Sequence, residues 1–127
     1  MLTGHDMPAA DGHVSGALLA DALEDVTDLA VAWVEDVHSM PGQGVASTFK
    51  FGRSVGVVEG ALSALGIPIR WVSPAKWKKA MGLPADKGAA RRRAIELWPD
   101  HAHLFARVKD DGRAEAALIA EYGRRQA

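Results

Sequence analysis

The spacing of apolar residues along the chain predicts alternating helices and strands. Residues 14–25 repeat apolar side chains on one helical face, which predicts an amphipathic helix. The short apolar runs 29–34 and 67–72 are rich in β-formers and are typical of strands buried on both faces. Between them, the turn-rich segment 39–44 predicts a loop that leads into a helix of several turns at Ala46–Leu65.

The second half of the chain carries a basic segment and then a final helix. The basic segment is predicted to form two short helices separated by residues 82–84, and the final helix to run from about Asp110 to Arg125. Strands and helices alternate with connections long enough for crossovers, so the sequence predicts an α/β sandwich with a largely parallel sheet. A length of 127 residues predicts one domain, residues 1–127.

Glycine recurs at four-residue spacing in the predicted helix Ala46–Leu65. Gly52, Gly56 and Gly60, followed by Ala64, share one face and form a bare stripe that lowers helix propensity. Such a stripe is useful where another backbone packs closely. Two interpretations follow: packing against a sheet or helix of the same chain, or a seam between two copies.

Charge divides the chain in two, although the net charge is only −1. Residues 1–49 contain eight acidic side chains and no lysine or arginine, which gives a net charge of −8. Residues 50–127 contain 15 basic against 8 acidic side chains, which gives +7. Such a molecule can bind a polyanion with its basic part and cations with its acidic part.

Absent sequence features exclude several kinds of site. The chain has no cysteine, which excludes disulfides, thiolate metal sites and cysteine nucleophiles, so any metal must be held by oxygen or imidazole. The sequence shows neither a secretory signal nor an apolar stretch of membrane-spanning length. We therefore expect a cytoplasmic protein with no membrane partner.

Two groups of acidic residues have positions that suit a divalent cation. Glu35 and Asp36 directly follow the first predicted strand, and ligands of α/β sheets gather at the carboxyl ends of strands. Asp111 and Glu115 are four residues apart and therefore share a helix face, with Asp110 beside them. Mg²⁺ takes oxygen ligands and only one or two carboxylates per ion, so these side chains could hold it.

Each acidic group also has an explanation without a metal. Two acids that enter a solvated loop would account for Glu35 and Asp36. Helix capping by Asp110 or Asp111, with Glu115 favoured near the helix start by the macrodipole, would account for the second group. The residues alone leave both explanations open.

A dense basic segment predicts contact with nucleic acid. Between residues 76 and 93 the chain has seven cationic side chains against the single Asp86, interleaved with Trp77. Three of the cations are arginines in series, which repel one another unless anions are near, and DNA phosphates would supply those anions. A solvated helical surface is the alternative. The loop before Ala46–Leu65 could also present backbone N–H groups to a phosphate, next to Lys50 and Arg53.

Three separated blocks of the sequence resemble the phage branch of the RuvC-like Holliday-junction resolvases. The blocks are VEDVHSMPGQGV at residues 34–45, VSPAKWKK at residues 72–79 and KDDGRAEA at residues 109–116. The resemblance spans about residues 6–124. It implies an RNase H-like fold and a homodimer that binds four-way DNA junctions. It also implies hydrolysis of phosphodiesters with two Mg²⁺ ions, for which Mn²⁺ is a substitute.

The resemblance assigns roles to the acidic residues. Glu35 matches the family's strand-end glutamate, and Asp111 with Glu115 match the acidic pair on its last helix. These three residues are therefore the expected catalytic carboxylates and metal ligands. Asp110 is an alternative ligand in place of Asp111.

The resemblance also assigns roles to basic residues and to one helix. Lys78 and Lys87 match residues that face the junction in the family, and the helix Ala46–Leu65 corresponds to the element at the dimer interface. Together with the basic segment, the expected DNA contacts are Lys50, Arg53, Lys76, Lys78, Lys79, Lys87 and Arg91.

The resemblance has a gap at its beginning. Family members open with a strand of the type Gly-Ile-Asp-Pro-Gly, whose aspartate bridges both metals, and this sequence contains no Asp-Pro-Gly. The chain starts near the family's third strand, at about residues 3–8. We therefore expect an N-terminally truncated RNase H-like domain, from either an internal start codon or a decayed copy.

The expected function is that of a Mg²⁺-dependent, structure-specific endodeoxyribonuclease of DNA recombination and repair. If it is encoded by a phage, it acts in the cytoplasm of the bacterial host. The alternative is a catalytically impaired dimer that binds junction DNA without cleaving it. A third interpretation is a folding remnant that has neither activity nor junction affinity.

Overall fold

Helices dominate the structure. The computed structural model describes residues 2–24, 31–38 and 41–126. In these residues most of the chain is helical and two small sheets are present, which confirms the predicted α/β class. The described residues form two compact units, one of residues 7–71 and the other of residues 72–126 with the N-terminal segment 2–6.

The unit of residues 7–71 begins with a short hairpin. Its strands β1 (Ala9–Ala10) and β2 (His13–Val14) pair antiparallel. Asp11 and Gly12 connect them with φ angles of 53° and 76°. A two-residue loop with positive φ at both positions matches the twist of a hairpin. The sequence did not predict this hairpin, because strands of two residues leave no hydrophobic period to detect.

Two helices pack against each other in the same unit. Helix α1 (Gly16–Leu23) confirms the helix predicted over residues 14–25, as far as the described residues reach. The Ser15 hydroxyl caps α1 by accepting a hydrogen bond from the Leu18 amide at 3.2 Å. Helix α2 (Val45–Ala64) confirms the long helix to within one residue at each end.

Strands β3 (Ala32–Glu35) and β4 (Ile69–Val72) form the second sheet, and α2 lies between them in the chain. The Ala32 amide donates to the Pro68 carbonyl at 2.9 Å, so the beginnings of the two strands are neighbours. This is the arrangement of parallel strands joined by a crossover helix. β4 lies within the predicted run 67–72, and β3 overlaps the run 29–34 and extends one residue beyond it. Residues 29–30 of the first run are outside the described residues. Each sheet has only two strands in the described residues, so the RNase H-like sandwich remains a prediction.

The glycine stripe of α2 is open on its outer side. Gly52, Gly56 and Gly60 are exposed, and apart from the adjoining backbone of α2 itself no described atom lies within 4 Å of a methyl group built on any of them. Val45 and Phe49, at the start of the same helix, are 88% and 73% exposed. The described residues therefore do not support the interpretation that the stripe packs against an element of its own unit.

Three helices form the unit of residues 2–6 and 72–126. They are α3 (Pro74–Ala80), α4 (Ala89–Leu97) and α5 (Asp111–Arg125), and they confirm the two short helices and the final helix predicted from the sequence. Two 3₁₀ turns, Pro99–Leu104 and Val108–Asp110, connect α4 to α5.

The starts of α3 and α4 are fixed by local sequence. The Ser73 hydroxyl accepts from the Lys76 amide at 3.3 Å, and Pro74 follows as the first residue of α3, where a missing N–H costs nothing. Gly88 precedes α4 with φ of 79°, a backbone conformation that glycine adopts without the strain of a side chain.

The core of this unit lies where α4 packs against α5. Ala94 of α4 and Ala114 of α5 are fully buried, and Phe105 fills the space beside them. Small side chains at the contact let the two helix axes approach closely. Other large buried side chains of the unit are Trp77, Met81 and Leu118.

The N-terminal segment 2–6 packs onto α5. Arg113 of α5 donates to the Asp6 carboxylate at 2.9 Å and to the Leu104 carbonyl at 3.3 Å. Gly4 lies against the stem of Arg113, since a methyl group at Gly4 would come within 2.9 Å of the arginine Cδ. The close approach of backbone to side chain therefore depends on glycine at this position.

We expect Phe105→Ala to destabilise the protein by about 3–5 kcal/mol, since it removes a buried ring and leaves a cavity beside Ala94 and Ala114. Urea unfolding followed by circular dichroism measures this loss. Val108→Ala, at a side chain that is 75% exposed, is the control and should change the free energy of unfolding by less than about 0.5 kcal/mol. Equal effects of the two variants would contradict the assigned core.

Candidate functional site

An open cleft of about 690 Å³ lies in the unit of residues 72–126. Its walls come from α3, the loop 83–88, the start of α4 and the start of α5. Three of the predicted basic residues and two of the predicted acidic residues line it. These residues are Lys78, Lys79, Lys87, Asp111 and Glu115.

The acidic wall of the cleft is the first turn of α5. Asp111 is the first residue of this helix and Glu115 follows one turn later, so both carboxylates belong to one helix face, as the four-residue spacing predicted. The side chain of Asp111 is 46% exposed, and Glu115 is half-buried. These carboxylates are hard oxygen ligands of the kind that Mg²⁺ takes, and two of them are sufficient for one ion with water and phosphate.

Asp111 forms an ion pair with Arg91 of α4. The Arg91 Nε donates to Asp111 Oδ1 at 2.8 Å, and Arg91 Nη1 donates to the Ala106 carbonyl at 3.3 Å. The Arg91 side chain is 21% exposed. Its guanidinium is therefore used inside the protein, at a position where the sequence analysis expected a DNA contact.

Asp110 has a different environment from its neighbour. Its side chain is 1% exposed and is absent from the residues that line the cleft. Asp110 accepts hydrogen bonds from the Arg107 backbone N–H at 2.9 Å and from the Arg107 guanidinium at 3.0 and 3.2 Å. The Arg107 guanidinium, followed by its backbone N–H, holds the pKa of the Asp110 carboxyl below the ordinary value of 3.8.

The side chain of Asp110 does not cap α5 in the way that the capping explanation predicted. Asp110 occupies the cap position of α5, but its side chain makes no hydrogen bond to that helix. The carboxylate instead closes the 3₁₀ turn Val108–Asp110 by reaching back to Arg107. It is a structural group, and Asp111 is the aspartate that faces the cleft.

The basic wall of the cleft consists of lysines. Lys78 and Lys79 lie at the end of α3, and Lys87 lies in the loop before α4; all three are exposed. The Lys78 ammonium is 5.7 Å from the ring centroid of the buried Trp77. Lys76 is also exposed on α3, but it does not line the cleft.

The three consecutive arginines of α4 each have a carboxylate partner within the protein. Arg91 pairs with Asp111 at 2.8 Å, Arg92 with Asp86 at 2.7 Å, and Arg93 with Glu96 at 3.1 Å. The prediction that these arginines need DNA phosphates nearby is therefore wrong, because two of the three carboxylates that neutralise them, Glu96 and Asp111, lie after residue 93.

The remaining predicted site residues belong to the unit of residues 7–71. Glu35 is the last residue of β3, as predicted for a carboxylate at a strand end, and its side chain is half-buried. Lys50 and Arg53 are exposed on α2. The Arg53 guanidinium lies 3.4 Å from Nε2 of His13 on the hairpin. Residues 39–40 of the predicted loop are outside the described residues.

Reasoning from the sequence missed one contact and one residue beside the cleft. The contact is the ion pair of Arg91 with Asp111, which are 20 positions apart and are linked by no local period. Gly88 was not singled out, although a methyl group there would lie 3.2 Å from both the Arg91 and the Arg92 guanidinium. The isolated glycine before a basic helix was the available signal.

Comparison with known proteins gives one distant similarity. Over 92 residues, 71% of this chain, the sequence is 30% identical to the chloroplastic Holliday junction resolvase MOC1 of Chlamydomonas reinhardtii. The chain spans about a tenth of the length of that protein, since the matched part covers 10% of it. No protein-family model matches the chain.

Two further observations concern metals and membranes. Among residues 2–24, 31–38 and 41–126, no three His, Asp or Glu side chains are grouped as a metal site. None of the helices in the described part of the chain has both the length and the apolar character needed to cross a membrane.

We expect Asp110→Asn to lower the midpoint of thermal unfolding, because the neutral amide weakens the charged hydrogen bonds from Arg107. The pKa of Asp110 is depressed in the folded state, so its contribution is present above pH 3.8 and is lost as the pH falls through the lower folded-state pKa. Differential scanning calorimetry between pH 7 and pH 2 measures the effect. The difference between parent and variant should shrink at acidic pH, and a constant difference would contradict this assignment.

Proposed function

We propose that the protein is a metal-dependent endonuclease that hydrolyses phosphodiesters at four-way DNA junctions. The observation that carries this proposal is the cleft, in which two carboxylates and three lysines line one concave surface. The similarity to a chloroplastic Holliday junction resolvase supports the substrate class. The resemblance of residues 34–45, 72–79 and 109–116 to RuvC-like enzymes of phage type supports the same conclusion.

In this proposal the acidic wall binds Mg²⁺ and the basic wall binds DNA. Asp111 and Glu115 present carboxylate oxygens from one helix turn, and the lysines neutralise phosphates on either side of the scissile bond. A bound Mg²⁺ supplies Lewis-acid polarisation of the scissile phosphate. Mn²⁺, which also takes oxygen ligands, would substitute for it.

Opposite charges in one cleft suit this substrate. A phosphodiester brings negative charge toward Asp111 and Glu115, and the electrostatic cost of that approach is offset by a divalent cation and by the exposed lysines. The ammonium groups of Lys78, Lys79 and Lys87 are compact charges on flexible stems, which suits phosphate contacts that do not depend on base sequence.

Glu35 remains part of the proposal on the resemblance alone. It matches the family's strand-end glutamate, and we infer that it is a further metal ligand. The RNase H-like fold and a cytoplasmic location are inferences of the same kind. Lys50 and Arg53 are proposed as additional DNA contacts because both are exposed on α2.

Substitution of the cleft acids should separate cleavage from binding. We expect Asp111→Asn and Glu115→Gln each to reduce Mg²⁺-dependent cleavage of a four-way junction by about 100-fold or more, since each loses an anionic ligand. Junction binding in EDTA should persist, because the lysines remain. Denaturing gel electrophoresis of labelled junction arms measures cleavage, and a mobility-shift assay measures binding.

Asp100→Asn is the matched control for the cleavage assay, because Asp100 is an exposed acid of the same unit outside the cleft. This variant should cleave at the rate of the parent chain. Junction binding without cleavage by the parent would favour the non-catalytic junction-binding dimer. Cleavage that survives both Asp111→Asn and Glu115→Gln would contradict the assigned site.

We propose further that the protein forms a homodimer through α2. The exposed stripe of Gly52, Gly56 and Gly60 can admit a second helix at short distance, and the exposed Val45 and Phe49 offer apolar surface at one end of it. A four-way junction presents two equivalent strands for cleavage, which suits a two-fold symmetric enzyme.

Gly56→Leu tests the dimer. Leucine has room on the open face and is the better helix former by up to about 1 kcal/mol, so the variant should fold at least as stably as the parent. Its side chain would hold two helices apart, and sedimentation velocity should show a folded monomer where the parent is a dimer. A parent chain that is monomeric at micromolar concentration, or a variant that still dimerises, would exclude this interface.

A further inference from the structure

Arg91 of α4 makes two hydrogen bonds, and one of them is to Asp111 of the neighbouring helix α5. Nε holds Asp111 Oδ1 at 2.8 Å, while Nη1 holds the Ala106 carbonyl at 3.3 Å. The guanidinium is planar, so two bonds in different directions fix both its position and its orientation. In the described residues Asp111 Oδ2 has no hydrogen-bond partner, although Asp111 lines the cleft.

The surroundings of Arg91 keep it in this place. Its side chain is only 21% exposed, whereas that of the adjacent Arg92 is 56% exposed. The carbonyl of Ala106 belongs to the connection that leads into α5, so Arg91 joins α4 both to that connection and to the first residue of α5. Gly88 leaves room for the guanidinium, since a methyl group there would lie 3.2 Å from Arg91 Nη2.

We propose that Arg91 is a positioning residue that holds the Asp111 carboxylate in the orientation needed to bind a divalent cation in the cleft. This inference rests on the proposed function. Arg91 occupies one oxygen of the carboxylate and leaves the other for the cation. Carboxylate ligands of metals are commonly held by such outer hydrogen bonds, and loss of the partner typically weakens metal affinity or activity by about 10–100-fold.

Two other roles fit the geometry less well. As a DNA contact, Arg91 would have to break both of its bonds and leave a largely buried position, whereas the lysines of the cleft are already exposed. As a competitor of the cation, Arg91 would weaken metal binding by repulsion. Arg91 Nε binds Asp111 Oδ1 and leaves Oδ2 to the cation, so the two positive groups use different oxygens of the carboxylate. If repulsion dominated, removal of Arg91 would tighten metal binding, which is the opposite of the effect expected from positioning.

The test measures binding of Mn²⁺ to the full chain by electron paramagnetic resonance, in which the signal of free Mn²⁺ falls as the ion binds. We expect Arg91→Gln to weaken Mn²⁺ affinity by about 10–100-fold. Arg91→Lys should weaken it less, because an ammonium can keep a bond to Asp111 but cannot also reach Ala106 in the same geometry. Arg91→Lys also keeps the charge and most of the stem, so it covers the case in which Arg91→Gln does not fold.

Arg124→Gln is the matched control. Arg124 also pairs with an acid of α5, Glu121, at 2.6 Å, and its loss changes the net charge equally at the other end of that helix. This variant should bind Mn²⁺ like the parent. A second measurement is junction binding in EDTA, which Arg91→Gln should leave unchanged, whereas the Mg²⁺ concentration for half-maximal cleavage should rise.

Several results would overturn the role of Arg91. Positioning would be excluded if Arg91→Gln or Arg91→Lys binds Mn²⁺ as tightly as the parent. Tighter binding of Mn²⁺ by either variant would exclude positioning and indicate that Arg91 competes with the cation. Weaker junction binding in EDTA with unchanged Mn²⁺ affinity would make Arg91 a DNA contact. If the parent chain binds no Mn²⁺, the proposed function itself fails. If the parent binds Mn²⁺ and the Arg91 variants bind it equally well, only the role of Arg91 fails.

Discussion

The close packing of α4 against α5 is the constraint on which the candidate site depends. Ala94 and Ala114 at the contact allow the two helices to approach, and Phe105 seals the space beside them. This contact sets the separation between Arg91 on one helix and Asp111 on the other, so the arginine spans the gap with a bond of 2.8 Å. The geometry of the cleft is therefore a consequence of side-chain volume at the apolar contact between α4 and α5.

Local sequence predicted the helices well because their signals are local. The spacing of apolar residues lies within one or two turns of the helix that it defines, and the hydroxyl caps that the structure adds at Ser15 and Ser73 are equally local. The hairpin at residues 9–14 was missed because two-residue strands carry no period. The largely parallel sheet was inferred from the alternation of elements. The described residues contain one strand pair, β3 with β4, whose beginnings are neighbours as in a parallel pair.

In the candidate site, too, features that depend on local spacing were predictable and features that depend on tertiary packing were not. The pairing of Asp111 and Glu115 on one helix face was predictable, since it depends only on a spacing of four residues. The separate environments of Asp110 and Asp111 were not predicted, although Arg107 lies three residues before Asp110, which is the same spacing as that of Arg93 and Glu96. The partners of the three consecutive arginines could be found in part: Glu96 is three residues after Arg93 on one helix, whereas Asp111 is brought to Arg91 only by tertiary packing.

The hydrogen bond between Asp6 and Arg113 joins positions 107 residues apart. One compact unit is therefore discontinuous in the chain, and the whole of the other unit is inserted between its two parts. Residues 7–71 leave the ribosome long before Arg113 is synthesised, so the inserted unit can fold first. Residues 2–6 can pack only after α5 has been made. A contact of such long range also makes the last step of assembly slow in comparison with the local helices, because loop closure must precede any gain from it.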